Sequence, residues 1–107
     1  LDQTFDVTVA GGTVRDAEID VAGRLYIAGS FTLVNGQPRS GIARLIDDDL
    51  DSFDPIIGSP SINSVVALPD GKILVGGAFS GVNGFNRANL VRLEANGDLD
   101  PSLAASV

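Results

Sequence analysis

The sequence predicts an all-β fold that is built from two copies of one unit, and two observations carry this prediction. First, the stretch "YIAGSFTLVNG" at residues 26–36 is nearly repeated as "LVGGAFSGVNG" at residues 74–84. Second, apolar residues along short segments alternate with a period of two, which is typical of strands. No segment carries a convincing helical stripe. We therefore expect short antiparallel strands in a repeating unit.

The length of the unit follows from positions that recur along the chain. The positions that recur after 48 residues are Gly29, Phe31, Val34, Asn35, Gly36, Arg39, Arg44 and Leu45, which meet Gly77, Phe79, Val82, Asn83, Gly84, Arg87, Arg92 and Leu93. A second motif, Leu-Asp followed closely by a large apolar residue, begins at Leu1, Leu50 and Leu99, in steps of 49 residues. We therefore expect repeat unit 1 at residues 1–49, repeat unit 2 at 50–98 and the start of a third unit at 99–107, with each Leu-Asp segment as an outer strand.

Each unit is expected to contain four short strands joined by turns. In the first copy the strands are "VRDAEID", "RLYIAGSF", "GIARLI" and "LDSF", separated by a turn at residues 22–23, a loop "TLVNGQPRS" and a turn in "DDD". In the second copy they are "INSVVAL", "GKILVGGAF", "NLVRLE" and the segment around "DLDPSL", with turn signals at residues 69–71, 83–84 and 96–97. Gly, Asn, Asp and Pro mark these turns because they accept the backbone conformations that tight turns require.

The strands carry small or apolar residues on both faces. In "GKILVGGAF", residues 73, 75, 77 and 79 share one face, and residues 74, 76 and 78 share the other. Four antiparallel strands that are buried on both faces predict the blade of a β-propeller, in which sheets stack face to face. Gly29 and Gly77 are expected where a side chain would collide with backbone beside the next blade, and Phe31 and Phe79 are expected to fill the space between blades. The alternative is that the glycines mark only a bulge in an ordinary sandwich, a fold that does not require a repeat.

The second copy also carries the motifs of a known repeat. The segments "SVVALPDGKILVGGAFSGVNG" and "NLVRLEANGDLDPSL" resemble the delta-60 repeat of bacterial surface and secreted proteins, with a more distant likeness to the kelch repeat in the double glycine. The resemblance covers nearly the whole chain, although the first copy has "DVAGR" in place of "PDGK" and only one glycine in "IAGSF". The resemblance implies a β-propeller fold, an extracellular or cell-surface location in bacteria and no known catalytic site.

The net charge and the amino-acid composition limit the kinds of molecule that the chain is expected to bind. The formal net charge is -7, from 14 acidic and 7 basic residues, which disfavours nucleic acid and anionic membranes and favours divalent cations or basic partners. The chain has no cysteine and no histidine, so disulfides and thiolate zinc sites are excluded. No apolar run is long enough for a membrane helix, and there is no basic-then-apolar signal segment. Because the chain begins at Leu1, we expect a mature product or a piece of a longer polypeptide.

Most of the basic residues recur with the unit, which favours structural roles for them. The matched pairs are Arg24 with Lys72, Arg39 with Arg87, and Arg44 with Arg92, whereas Arg15 has no counterpart. Arg44 and Arg92 lie inside strands that the next blade should cover, so each guanidinium needs a partner. Asp51 and Asp100 on the adjoining strand are the expected partners.

Two acidic turns are the candidate metal sites. They supply Asp47, Asp49 and Asp51 in "IDDDLDSFD", and Asn96, Asp98 and Asp100 in "ANGDLD". Calcium prefers several hard oxygens on a flexible loop, which these turns offer. Neither stretch has the spacing of an EF-hand loop or of the glycine-rich nonapeptide, and Asp and Asn are also the usual residues of tight turns. Calcium binding and simple turn formation therefore stand as alternatives, and no other cofactor is expected.

The sequence favours an interaction module over an enzyme. Without His or Cys there is no nucleophile-base pair of the usual kind, and the carboxylates lie in exposed turns that provide no apolar pocket to raise a pKa. We expect a non-enzymatic propeller module that mediates interaction, adhesion or scaffolding with a protein or glycan partner. The alternative is a glycan-binding propeller assembled from several copies of the chain, but repeated sugar sites lack support because Phe85 of the second copy corresponds to Gln37 of the first.

Two blades are too few to close a ring, since propellers typically contain about four to eight. The chain is therefore expected to be part of a larger propeller, with further blades of a longer polypeptide as its neighbours. The alternative is a ring formed by several copies of the chain.

Overall fold

In the computed structural model of the chain, the described residues are 7–47, 49–58, 61–86 and 88–100. They form strands and turns and no helix, so the all-β prediction is confirmed. The strands are β1 (Val9–Ala10), β2 (Val14–Ile19), β3 (Leu25–Gly29), β4 (Leu33–Val34), β5 (Gln37–Pro38), β6 (Ile42–Ile46), β7 (Asp49–Leu50), β8 (Ile57–Gly58), β9 (Ile62–Ala67), β10 (Ile73–Gly77), β11 (Gly81–Val82), β12 (Phe85–Asn86) and β13 (Leu90–Leu93). No described segment could cross a membrane as a helix. The first Leu-Asp segment, at residues 1–5, and the third unit beyond residue 100 lie outside the described residues.

Blade 1 is a four-stranded antiparallel sheet in the order β2-β3-β6-β7. The turn between β2 and β3 is held by the carboxylate of Asp20, which accepts hydrogen bonds from the backbone N–H groups of Ala22 and Arg24. Gly23 completes this turn with a φ of 84°, a value that glycine adopts without steric penalty. The register places Tyr26 of β3 opposite Arg44 of β6. Residues 26, 28, 42 and 44 therefore share one face of the blade, and residues 25, 27, 43 and 45 share the other.

Blade 2 contains β9, β10 and β13 in an antiparallel sheet with β10 in the centre. Its register pairs Leu74 with Arg92 and Val75 with Val91. The predicted outer strand around "DLDPSL" contributes one isolated bridge, between Leu99 and Leu93. Residues 101–103 of that segment lie outside the described residues.

The loop predicted at "TLVNGQPRS" is a β-hairpin instead. In both copies the Asn-Gly dipeptide has positive φ at both residues, 50° and 79° at residues 35–36 and 52° and 84° at residues 83–84. This combination forms the tight two-residue turn whose twist suits a hairpin, so β4 pairs with β5 and β11 pairs with β12. Each hairpin gains a third strand, β1 or β8, from the segment that leads into the blade.

The asparagine of each hairpin also anchors this third strand. The side-chain Oδ1 of Asn35 accepts the backbone N–H of Thr8 at 2.9 Å, and Oδ1 of Asn83 accepts that of Ile56 at 2.8 Å. In return, the backbone N–H of Asn35 donates to the carbonyl of Thr8, and that of Asn83 donates to the carbonyl of Ile56, at 2.7 Å in both copies. Asparagine therefore serves the turn and the strand pairing at once.

Gly29 and Gly77 lie at β-bulges within their own blades. The pairing of β2 with β3 shifts register between Val14 and Asp16 in blade 1, and the pairing of β9 with β10 shifts register between Gly76 and Gly77 in blade 2. A Cβ on Gly29 would clash with the carbonyl oxygen of Thr13, and a Cβ on Gly77 would lie 2.8 Å from the Cα of Ile62. The expected collision with backbone therefore exists, but the backbone belongs to the neighbouring strand of the same blade and not to the next blade. A β-bulge at these glycines was the feature expected if the fold were a sandwich, and here it occurs within the blades themselves.

The buried apolar residues form two clusters. The larger cluster joins one face of blade 1 to blade 2 and contains Tyr26, Ala28, Ile42, Phe53, Ile57, Ile62, Val65, Ile73, Val75, Phe79, Val82, Val91 and Leu93. The smaller cluster lies on the opposite face of blade 1 and contains Leu25, Ile27, Phe31, Val34, Ala43 and Leu45. Phe79 therefore packs where the two blades meet, whereas Phe31 lies in the smaller cluster, to which blade 2 contributes no residue. We call the contact between the two blades the seam.

Candidate functional site

The seam brings an apolar face of blade 1 against an apolar face of blade 2. Tyr26 and Ile42 of blade 1 are fully buried there, beside Val75 and Leu93 of blade 2. The alternation of each strand supplies this face, because every second side chain of a strand points to the same side. The seam thus shows how one blade of this protein recognises another.

Arg44 is the polar centre of the seam. Its Nε donates to Oδ2 of Asp51 at 2.7 Å, and its Nη1 donates to the carbonyl oxygen of Ala95 at 2.5 Å and to the hydroxyl of Tyr26 at 3.3 Å. Its guanidinium carbon lies 4.8 Å from the ring centroid of Phe53 and 5.8 Å from that of Tyr26. Because Ala95 belongs to the turn after β13, this one side chain connects the two blades. A guanidinium that is planar and rich in donors suits such a site better than an ammonium group.

The ionised pair stabilises its own charged state. Burial acts to raise the pKa of Asp51, but the hydrogen bonds from Arg44 and from the backbone N–H of Phe53 outweigh it and hold the pKa below its ordinary value. Burial likewise acts to lower the pKa of Arg44, and the hydrogen bonds to Tyr26 and Asp51 outweigh it and raise the pKa. Both groups therefore stay charged inside the seam.

Polar side chains of β2 also form hydrogen bonds across the seam, to residues in and next to β9. The carboxylate of Asp16 accepts the backbone N–H of Val65 at 2.9 Å, and that of Glu18 accepts the backbone N–H of Ala67 at 3.4 Å. Arg15 donates from Nη1 to the hydroxyl of Ser61 at 2.7 Å. Arg15, the basic residue without a counterpart in the repeat, is therefore a contact between the blades.

The corresponding site in blade 2 is more open. Arg92 donates from Nε to Oδ2 of Asp100 at 2.8 Å, and Lys72 donates from Nζ to the same oxygen at 3.0 Å. The side chain of Arg92 is 29% exposed, against 9% for Arg44, while Asp100 is buried. The next blade was expected to cover both arginines. It covers Arg44, but the described residues place no blade over the side of blade 2 that carries Arg92.

We call this side of blade 2 the distal face. By register it carries Ser64, Val66, Leu74, Gly76, Leu90 and Arg92. Val66 is 43% exposed, and Leu74 and Leu90 are half-buried, whereas their counterparts Tyr26 and Ile42 in blade 1 are fully buried. The distal face is therefore the same kind of surface as the covered face of blade 1, without the covering blade.

The other repeated basic residues have local partners. Arg39 donates from Nη2 to the backbone carbonyl of Asp51 at 2.9 Å and so holds the segment after β7. Arg24 pairs with Asp20 at 2.7 Å, and this pair lowers the pKa of Asp20 against the opposing effect of burial. Its counterpart Lys72 pairs with Asp100 instead, because Leu68 stands where the first copy has Asp20. Arg87 lies outside the described residues.

The residues of the acidic turns are distributed over separate structures. Asp51 and Asp100 pair with arginines, whereas Asp47 has a φ of 51° and Asp49 begins β7. Asn96 accepts the backbone N–H of Asp98 at 3.0 Å and donates to its carboxylate at 3.0 Å, a local turn arrangement. Among the described residues, no group of three or more Asp or Glu side chains comes together to hold a metal ion. Asp48 lies outside them, and calcium binding stays a prediction.

Sequence reasoning missed several contact residues. It gave no role to the Tyr26 hydroxyl, which accepts a hydrogen bond from Arg44. It gave no role to Asp16 or Glu18, whose repeat positions hold Ser64 and Val66 in the second copy. The one signal in the sequence that could have identified such residues is the lack of a matching residue in the other copy, as for Arg15. A residue that makes a contact in one seam only need not recur in the repeat.

Comparison with known proteins identifies the repeat. A family model described as a domain of unknown function (DUF5122) beta-propeller matches residues 23–45 and 68–103, which together are more than half of the chain. No curated protein and no solved structure matches the chain.

Proposed function

Because the chain belongs to the DUF5122 β-propeller family, we propose that it is a module that binds other protein surfaces through its blade faces and performs no catalysis. The observation that supports this proposal is the distal face of blade 2. On this face Leu74 and Leu90 are half-buried, whereas the matching residues of blade 1 are fully buried against blade 2, and Val66 is exposed. Exposed apolar surface of this kind marks an interaction site.

The seam indicates what fits the distal face. Blade 1 is covered by a sheet that presents Val65, Ile73 and Val75, and the distal face presents Leu74 and Leu90 at the positions of Tyr26 and Ile42. A further blade is therefore the expected neighbour, and the module acts as a scaffold that holds blades in line. The further blade belongs either to a longer polypeptide or to another copy of the chain.

The chemistry of the described residues supports a role without catalysis. The chain has no cysteine and no histidine, and the carboxylates of Asp51 and Asp100 are engaged by basic side chains. The location that we propose is the surface or exterior of a bacterial cell. That location rests on the resemblance of the unit to the delta-60 repeat.

Light scattering and binding of a hydrophobic dye test the proposed role of the distal face. We expect the 107-residue chain either to form assemblies whose mass is a multiple of 11.0 kDa or to bind the dye. Val66→Asp should weaken the assembly or the dye binding, because it places a charge on the distal face. The matched control is Val21→Asp, at a 93% exposed turn residue of blade 1 that is not part of the distal face. A stable 11.0 kDa monomer that does not bind the dye would contradict the proposal.

A further inference from the structure

A polar pocket lies at the edge of blade 2 beside the turn after β13, and none of its lining residues belongs to the distal face. Its volume is about 420 Å³, and it opens between the β11–β12 hairpin, the turn after β13 and the segment after β7. The residues that line it include Phe85, Asp54 and Asp98. The three segments are not contiguous in sequence, so only the folded chain assembles this pocket.

The ring of Phe85 is exposed without a structural need for it. Its exposed fraction is 56%, in a hairpin whose other copy has Gln37 at the same position. The first copy forms the same hairpin with this glutamine, pairing Val34 with Gln37 as the second copy pairs Val82 with Phe85. The hairpin therefore does not require an aromatic ring, and the ring is free to contact a ligand.

The polar groups of the pocket offer acceptors more than donors. Asn83 frames the pocket, since its Oδ1 accepts from Ile56 and its Nδ2 donates to the carbonyl of Gly97 at 3.0 Å. Oδ2 of Asp54 lies 3.7 Å from the Nη1 of Arg39, which is longer than a hydrogen bond. Asp98 accepts one hydrogen bond from Asn96. Because an ionised carboxylate has about four acceptor positions, both carboxylates retain capacity for a donor-rich ligand.

The protein already shows how it binds a group of that kind. Arg44 places its guanidinium 4.8 Å from the ring of Phe53, on the carboxylate of Asp51 and on the carbonyl of Ala95, in the turn after β13. The pocket offers the same kinds of group beside that turn, an aromatic residue and carboxylates. A guanidinium stacks on aromatic rings and donates to carboxylates with a geometry that ammonium groups lack.

We propose that this pocket binds an arginine side chain of a basic partner protein. The net charge of -7 attracts such a partner, and the two carboxylates with the Phe85 ring position its guanidinium. Binding at the pocket is independent of the distal face, so the assembly experiment above and the experiment below can fail separately.

The test is a titration of the isotopically labelled 107-residue chain with three short blocked peptides, followed by NMR. The peptides carry arginine, lysine or uncharged citrulline between two glycines. We expect saturable shifts of the backbone signals of residues 83–85 and 96–98 with the arginine peptide, and at least about threefold weaker binding of the lysine peptide. The citrulline peptide should bind at least about tenfold more weakly than the arginine peptide, because it lacks the charge.

Two variants connect the binding to the pocket. Phe85→Gln reproduces the residue of the first copy and should weaken binding of the arginine peptide about threefold. Asp98→Asn keeps the shape of the turn and should weaken it about tenfold. The matched control is Asp49→Asn, an exposed acidic residue of the corresponding turn in blade 1, which should bind as the parent does. Raising sodium chloride from about 50 mM to about 500 mM should also weaken binding, and this measurement requires no variant.

Several results would overturn the proposal. Equal binding of the arginine and citrulline peptides would show that the pocket does not recognise the charge. Shifts of residues 83–85 and 96–98 with glucose or galactose but not with the arginine peptide would make the pocket a sugar site. Binding that is unchanged by Phe85→Gln, by Asp98→Asn and by salt would place the peptide elsewhere.

Discussion

At the scale of single residues, Arg44 and Arg92 show that equal positions in a repeat do not have equal surroundings. Each donates from Nε to an aspartate of the adjoining segment. Arg44 is then covered by blade 2 and stacks on Phe53, whereas Arg92 remains partly exposed on the distal face. Asp100 also has a second cationic partner, Lys72. The two arginines should therefore contribute differently to stability.

We predict that Arg44→Met lowers the free energy of unfolding by roughly 3 kcal/mol, because it leaves Asp51 with a charge that burial disfavours. Arg92→Met should cost about 1 kcal/mol, because the Arg92 side chain is more exposed than that of Arg44 and Lys72 still binds Asp100. Urea denaturation of both variants measures the difference. The double variant Arg44→Met with Asp51→Asn should recover part of the loss. Equal losses in the two single variants would show that burial in the seam does not decide the effect.

The ion pair of the seam also predicts a loss of stability in acid. The pKa of Asp51 is lower in the folded chain than its ordinary value, so its contribution is complete above the unfolded pKa of about 3.9 and is lost as the pH falls through the folded value. We expect the free energy of unfolding to fall below about pH 4, and to fall less steeply in Asp51→Asn. Urea denaturation at a series of pH values tests this, and an unchanged slope in the variant would assign the acid sensitivity to other carboxylates.

At the scale of elements, the first two long strands of each blade, β2 with β3 and β9 with β10, are paired through a β-bulge. The carbonyl of Thr13 accepts the N–H of Ser30 at 3.0 Å, and the carbonyl of Ser61 accepts that of Ala78 at 2.8 Å. Each carbonyl thereby fills the space beside a glycine, Gly29 in one blade and Gly77 in the other. The bulge and the glycine depend on one another, which explains why both recur with the unit.

We predict that Gly29→Ala and Gly77→Ala each lower the free energy of unfolding by about 1 to 3 kcal/mol, because the added methyl group forces the two strands apart. Gly58→Ala is the matched control, since Gly58 also lies in a strand and a Cβ there has no atom within 4 Å. Its effect should stay within about 0.5 kcal/mol. Thermal denaturation of the three variants compares them, and a neutral Gly77→Ala would show that the bulge adapts without cost.

At the scale of the whole molecule, the two blades share the larger buried cluster. Residues of both blades contribute to it, and Phe53 and Ile57, from the segment that connects the blades, complete it. Charged and polar contacts of Arg15, Asp16 and Arg44 span the same boundary. Each blade therefore buries part of its apolar surface only against the other, and the two should unfold together.

Tyr26 provides a direct measurement of this coupling. It is the one tyrosine of a chain that has no tryptophan, and it is buried in the seam. We predict that thermal unfolding followed by tyrosine fluorescence coincides with unfolding followed by far-UV circular dichroism, because loss of the seam removes the shared core. A fluorescence change at a lower temperature than the change in dichroism would show instead that the blades separate before they unfold.

The sequence by itself determined the strand content, the repeat and many of the turns. Alternation along segments such as residues 73–79 and the dipeptide Asn-Gly are local signals, and local backbone preferences decide strands and tight turns. The expectation that each repeated arginine pairs with the aspartate of the following Leu-Asp motif was also local, since it compared strands that are consecutive along the chain. The hairpin at residues 33–38 was missed because its Asn-Gly turn was grouped with a longer loop.

Tertiary structure alone decided which face of each blade is covered and which residues meet in the pocket. Burial of a strand face depends on the sheet that lies against it, and such a contact joins residues that are distant along the chain. Tyr26 and Leu74 therefore occupy equal positions in the repeat with unequal exposure. The pocket around Phe85 depends in the same way on three separate segments, which no period in the sequence connects.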